Sequence, residues 1–354
     1  FYNLFIALAA LLVARSAPEL RQGKVPAGVA LAMLSAGFAI TVKTTALFEA
    51  VFLGLYTVWL LPAPQRLPRA LPLALLGALP ALLIAAGYAL SGYWSIYWQA
   101  MTGANLSADR WEAYSAQIRL RLMLASLAPI LAVAAFGWLD LKDDRRRFVA
   151  LWILAALIGL FAFPYFHRHY ALPLLVPLCV ASGAFLARKW VGPAAAAAVC
   201  LLAYRESPPI DFDHTARSRQ AMEQLAAAIR SAGPDGPLLV YEGPPLLYTM
   251  TDKPFPSPLA FPAHLYHSIE KDVSHLSTLA EVERVIALRP EVVVMTKEPR
   301  DGPINAETHA VVLAYVRSSC RLVAEVEAPE RLRSDHVLVW GQCRKAGRPA
   351  GPDA

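Results

Sequence analysis

Three groups of residues in this sequence have types and spacing suited to holding an anion. The first is Lys43, set in Gly37-Phe38-Ala39-Ile40-Thr41-Val42-Lys43-Thr44-Thr45-Ala46, a lone cation where two apolar runs nearly touch. An ammonium there, with two threonine hydroxyls as further donors, suits a phosphate carried on a lipid. The plainer alternative is a lysine whose stem snorkels to a membrane surface. Glu49, one and a half turns further on, is either its ion partner or a buried acid. The second group is Pro164-Tyr165-Phe166-His167-Arg168-His169-Tyr170, followed by Ala171-Leu172-Pro173-Leu174-Leu175-Val176-Pro177. The planar fork of Arg168 suits bidentate phosphate binding. His169 adds a further donor, and Tyr170 can donate to phosphate oxygens or stack on a sugar. An anchor belt of aromatic and basic residues is the competing reading. His167 and His169, an i, i+2 pair with no carboxylate beside it, are weak grounds for a divalent metal, and no cofactor is evident. The third group lies in 91–120, where Tyr93, Trp94, Tyr97, Trp98, Trp111 and Tyr114 stand among Asp109, Arg110 and Glu112. Such a loop can lie in a membrane interface and cover a cavity, or form an ordinary interfacial belt. Tyr97, Trp98 and Arg110 are its candidate binding residues.

The elements that must position these groups are legible from composition. Apolar residues make up 56% of the 354 and charged residues 17%, against about 45–50% and about 25% in soluble domains. The first 204 residues carry net charge +9 and the remainder −3. The basic balance therefore belongs to the apolar half and gives no reason to invoke nucleic acid. A bilayer-spanning helix needs about 20 mostly apolar residues. Eight such stretches are expected, at 1–14, 26–42, 44–61, 70–90, 121–139, 148–163, 171–187 and 191–204. Positive charges cluster in alternate loops: Arg15, Arg21 and Lys24; Arg66 and Arg69; Lys142 with Arg145, Arg146 and Arg147; Arg188 and Lys189. These loops are expected on the cytoplasmic side. Lys43, the loop 91–120, the tight loop 164–170 and everything after 204 then fall on the other side. Phe1 begins inside an apolar run with no signal-peptide n-region, which reads as a chain whose N-terminal part is missing.

From about 205 the pattern becomes that of an extracytoplasmic α/β domain. Helical spacing covers Thr215–Ala232 and stops at Gly233-Pro234. Leu238–Tyr241 and Val292–Met295 read as buried strands with an amphipathic helix, Leu276–Leu288, between them. After a helix near 307–318, Leu322–Val326 and Val337–Trp340 read as an antiparallel hairpin. Cys320 and Cys343 lie equally far from its centre, so they are candidate disulfide partners, with two free thiols near a sheet edge as the alternative. Cys179 and Cys200 fall in spans, where a buried, inert thiol is expected.

The sequence has no Gly-rich phosphate loop, dinucleotide fingerprint, zinc spacing or nucleophile elbow. Ala36-Gly37-Phe38-Ala39-Ile40-Thr41-Val42-Lys43-Thr44-Thr45-Ala46-Leu47 is similar to the helix ends of polytopic glycosyltransferases of the GT-C fold. The resemblance is to the group containing dolichyl-phosphate-mannose protein mannosyltransferases and bacterial lipid A aminoarabinose transferases. Arg168 to Pro177 resembles a late span of that group. In the tail, Leu239-Val240-Tyr241-Glu242, Pro245-Leu246-Leu247-Tyr248 and Phe261-Pro262-Ala263-His264-Leu265 resemble its C-terminal extracytoplasmic domain.

The resemblance implies a polytopic helical membrane domain (1–204) followed by an extracytoplasmic α/β domain (205–354), in a bacterial inner membrane. It implies transfer of a sugar from a polyprenyl-phosphate carrier to a lipid, glycan or protein acceptor outside the cytoplasm. Fixed cations would stabilise the leaving phosphate, with Lys43, Arg168 and His169 as candidates. The family's acidic base lies in a first outer loop that has no match in these residues, so this chain by itself is expected to be inactive. A lipid-sugar transporter, which would favour broken helices and paired repeats, and a non-catalytic scaffold are the alternatives.

Overall fold

The computed structural model describes residues 1–103, 113–163, 166–206, 211–298, 303–329 and 334–343. The chain divides into two compact units, Phe1–Trp94 with Trp111–Pro209, and Ser95–Arg110 with Ile210–Ala354. The division falls a few residues beyond 204, and residues 95–110, expected in the membrane part, group with the second unit.

The first unit is helical. Among the described residues its long helices are α1 (Tyr2–Arg21), α2 (Ala27–Val42), α3 (Leu47–Leu60), α4 (Ala63–Leu90), α5 (Ala113–Leu139), α6 (Asp143–Ala162), α7 (Leu172–Leu186) and α8 (Val191–Glu206). Each apolar stretch of the sequence is a helix, but several reach further than their apolar residues. α1 takes in Arg15 and Arg21, α4 begins before Arg66, and α6 takes in Arg145–Arg147. Long basic side chains can leave the end of an apolar helix without breaking it, so hydropathy alone sets these boundaries too short. α2 and α3 are separate because Thr41, Val42, Thr44 and Thr45 are β-branched and resist continued helix. The chain instead passes through one extended residue, Lys43 (φ −150°, ψ 119°), and a single 3-10 turn.

Small residues bring the helices close. A Cβ on Gly37 of α2 would collide with the Gly77 carbonyl and the Pro80 ring of α4. One on Gly137 of α5 would meet the Ala181 backbone of α7. One buried cluster joins α1 to α4 with Trp152 of α6, and another joins α5, α6 and α7. The outer surface is also apolar: Leu4, Leu55 and Leu83 are 70%, 66% and 64% exposed, with many other leucines like them. Apolar exposure on this scale is foreign to a water-facing monomer. Among the described residues, four helices, Tyr2–Arg21, Ala63–Leu90, Ala116–Leu139 and Arg168–Leu186, are long and apolar enough to cross a membrane; α2 and α3 are apolar but shorter. Cys179 and Cys200 lie on the exposed surface. This corrects the expectation of buried thiols: a position inside an apolar helix does not say which face it occupies.

The second unit is a small α/β domain. Its sheet has the order β1-β2-β4-β3, from β1 (Leu238–Val240), β2 (Val292–Thr296), β3 (Arg321–Pro329) and β4 (Ser334–Gly341). β1 and β2 are parallel, while β4 runs antiparallel to both β2 and β3. Helix α9 (Phe212–Ala232) packs Leu225 and Ile229 against Leu238, Val240, Val292 and Val294 on one face. On the other face, α10 (Thr278–Ala287) and α11 (Ala306–Ser319) bring Val282, Val285, Val312 and Val316 to Leu239, Val293 and Met295. Strands covered on both faces have no polar alternation, which is why β1 and β2 are continuous apolar runs. Asp211, Ser277 and Asn305 accept backbone N–H bonds at the starts of α9, α10 and α11. In the turn after β1, the Val240 amide donates to the Tyr248 hydroxyl at 2.8 Å, and burial pushes that phenol up to about 12. Cys320 and Cys343 are joined in a disulfide across the open end of the β3–β4 hairpin.

Candidate functional site

Lys43 owes its position to the break between α2 and α3. Its N–H still donates to the Ala39 carbonyl and its own carbonyl accepts from Ala46, so a half-buried extended residue is held between two helical turns. Its Nζ lies 4.9 Å from the centre of the Tyr170 ring and 5.7 Å from that of Tyr2. Tyr2 begins α1 and Tyr170 sits in the 3-10 turn Arg168–Ala171 that leads into α7. The Asn3 side-chain amide donates to the Leu172 carbonyl at 2.9 Å and fixes those two helix starts together. Cation–π contacts favour the charged lysine by about 0.5–2 kcal/mol each, without neutralising it. Among the described residues, no carboxylate pairs with Lys43.

The His169 ring is stacked on His167 at 5.7 Å and lies tilted against Tyr170 at 4.7 Å. Phe166 just before them has φ 49°, a costly value for a bulky residue, maintained here by burial of its ring. Two buried hydroxyls at this end, Tyr2 OH and Thr45 Oγ1, have no hydrogen-bond partner. Among the described residues, no group of three or more metal-ligating side chains occurs.

Arg168 takes a different direction. Its guanidinium pairs with Glu206 at the end of α8 at 3.1 Å, and the Ser126 hydroxyl of α5 donates to the same carboxylate. The expected meeting of Lys43 with Arg168 is therefore a meeting of Lys43 with Tyr170, while Arg168 ties together α5, α8 and the turn before α7. Glu49 is not the partner of Lys43. It is fully buried, accepting from the Trp152 indole at 2.7 Å with one oxygen and bonding nothing with the other. Tyr97 and Trp98 lie in the short helix Trp94–Trp98, and both belong to the second unit, where the neighbouring Gln99 amide donates to the Val273 carbonyl. Arg110, with Asp109 and Glu112, lies outside the described residues.

Tyr2, Trp152 and Glu206 had no part in the sequence reading. Tyr2 is an aromatic residue at the end of an apolar helix, a signal shared by any interfacial tyrosine. An apolar groove of about 630 Å³ runs between α3 and α6, from Leu47 and Phe48 to Trp59; Lys43 precedes Leu47 by four residues in the chain and does not line it. Compared with protein-family models, curated proteins and solved structures, the chain matches none.

Proposed function

We propose that the helical unit is a GT-C-like membrane glycosyltransferase that binds a polyprenyl-phosphate-linked sugar and passes the sugar to an acceptor outside the cytoplasm. The carrying observation is Lys43, a half-buried cation over the rings of Tyr170 and Tyr2, four residues before Leu47, where the apolar α3–α6 groove begins. The groove suits an isoprenoid chain and the ammonium suits the phosphate. As the sugar–oxygen bond breaks, negative charge grows on the phosphate, and a cation already in place stabilises that charge without reorganisation. Tyr170 and His169 stand where they can donate to the same phosphate or face the sugar. The disulfide in the second unit supports an extracytoplasmic position, since such bonds persist in oxidising compartments.

The test measures binding of polyprenyl phosphate, and of the same polyprenol without its phosphate, to the protein in membrane vesicles. Lys43→Ala is expected to weaken polyprenyl phosphate binding by about 10-fold and to leave polyprenol binding unchanged, with Lys43→Arg retaining part of the preference. Undiminished polyprenyl phosphate binding by Lys43→Ala refutes the phosphate role. Movement of a polyprenyl-phosphate-linked sugar across the membrane by the protein refutes the transferase reading.

A further inference from the structure

A second cavity, with charged residues at its mouth, lies toward the end of α1 away from Tyr2 and shares Tyr56 with the α3–α6 groove. Tyr2 begins α1 and Arg21 ends it, so these residues lie roughly 29 Å apart at 1.5 Å per residue. Around the Arg21 end, a cavity of about 940 Å³ opens between α1, α6 and α7. Small residues, Ala10, Ala14 and Ala17 on α1 with Gly183 and Ala184 on α7, form part of its wall, opposite larger ones such as Phe148 and Trp152 of α6. Pro18, also in its wall, has no N–H and so frees the Ala14 carbonyl from its helix bond.

The mouth of this cavity is basic. Arg15, Arg21 and Arg145 line it with one carboxylate, Asp144. Arg21 and Asp144 pair at 2.8 Å and neutralise one another. Arg15 and Arg145 have neither an ion pair nor a hydrogen bond among the described residues. Two uncompensated guanidinium groups therefore stand over an apolar hollow. Inorganic phosphate would satisfy the arginines and leave the alanine-lined wall empty, whereas a neutral lipid would fill the wall and leave the arginines unpaired. Basic pockets between membrane helices on the cytoplasmic side suit anionic headgroups, and the arginine-rich end is the one that charge bias orients that way.

We propose that this cavity binds an anionic phospholipid, with its phosphate between Arg15 and Arg145 and an acyl chain along the small-residue wall. The site lies outside the sugar-transfer reading and stands or falls separately from it.

The experiment titrates the full chain, purified in neutral detergent, with short-chain phosphatidylglycerol and with short-chain phosphatidylcholine. The wild type is expected to prefer phosphatidylglycerol by about 25-fold, roughly 5-fold from each free arginine. Arg15→Gln with Arg145→Gln should abolish the preference while phosphatidylcholine still binds, and the paired Lys substitutions should keep it. Ala14→Leu, which fills the cavity and leaves both arginines, should weaken both lipids. Equal wild-type affinities, which require no variant to fold, overturn the proposal. So do a preference that survives the double Gln substitution, unchanged binding in Ala14→Leu, and displacement of phosphatidylglycerol by an equal concentration of inorganic phosphate.

Discussion

Lys43 is a charge held by rings instead of a counter-ion, and that difference decides what it can do. An ammonium locked to a carboxylate is already neutralised, whereas one resting on Tyr170 and Tyr2 keeps its charge for a ligand. Glu49 shows the contrasting solution, a carboxylate sealed in the core with a single donor, Trp152. Trp152→Phe removes that donor and is expected to destabilise the helical unit by about 1–3 kcal/mol. Adding Glu49→Leu, which removes the other polar partner too, should recover most of the loss in thermal unfolding. Trp152→Phe protein with wild-type stability would contradict this account. In the second unit, Arg284 beside Glu281 holds that carboxyl below the usual range. A carboxyl with a lowered folded value stabilises above its unfolded value of about 4.3 and loses that contribution as pH falls through the folded value. Glu281→Gln should therefore be less stable than wild type at neutral pH, by under about 1 kcal/mol because Arg284 is largely solvated, and the gap should close in acid. Lys43 and Tyr170 were legible because charge and phenol in apolar sequence invite attention. Tyr2 and Trp152 were not, because their roles depend on which helices meet, and a single span does not encode its neighbours.

Elements were easier to read than their edges. Lys43, a charge where two apolar runs nearly touch, marked the division of α2 from α3, and Gly233-Pro234 marked the end of α9. Helix ends carrying arginine were missed because a basic turn is tolerated as well by helix as by loop. The hairpin was centred correctly from Ala324 onward; a bulge between Leu322 and Ala324 shifts the remaining pairs by one residue. The disulfide fastens that hairpin at the end away from its connection and closes a loop of sequence separation 23. Reduction and alkylation of both thiols should lower the stability of the second unit by about 3 kcal/mol in denaturant unfolding. An unchanged midpoint would show that sheet and helices hold the hairpin without it.

At the scale of the whole molecule, the chain places two solvents' worth of chemistry in two units. The first covers itself with leucine; the second caps its helices with Asp211, Ser277 and Asn305 and buries valine between layers. This division was legible in composition, since net charge and hydropathy both change near residue 204. The assignment of 95–110 was not, because it rests on contacts such as Gln99 to Val273, far apart in sequence. If the second unit lies outside the cytoplasm, a charged maleimide applied to intact cells after mild reduction should modify Cys320 and Cys343. Cys179 and Cys200, exposed on apolar helices, should instead take an apolar maleimide. Modification of Cys320 and Cys343 only after the membrane is opened would reverse the orientation.

The one-residue interruption at Lys43 also limits the length of the two helices it separates. α2 and α3, with 16 and 14 residues, are about 24 and 21 Å long at 1.5 Å per residue, several Å short of a hydrocarbon slab about 30 Å thick. Local thinning is one way a bilayer accommodates so short a pair of helices. On the proposed reading, such thinning would bring the headgroup plane toward the ammonium and a carrier's phosphate with it.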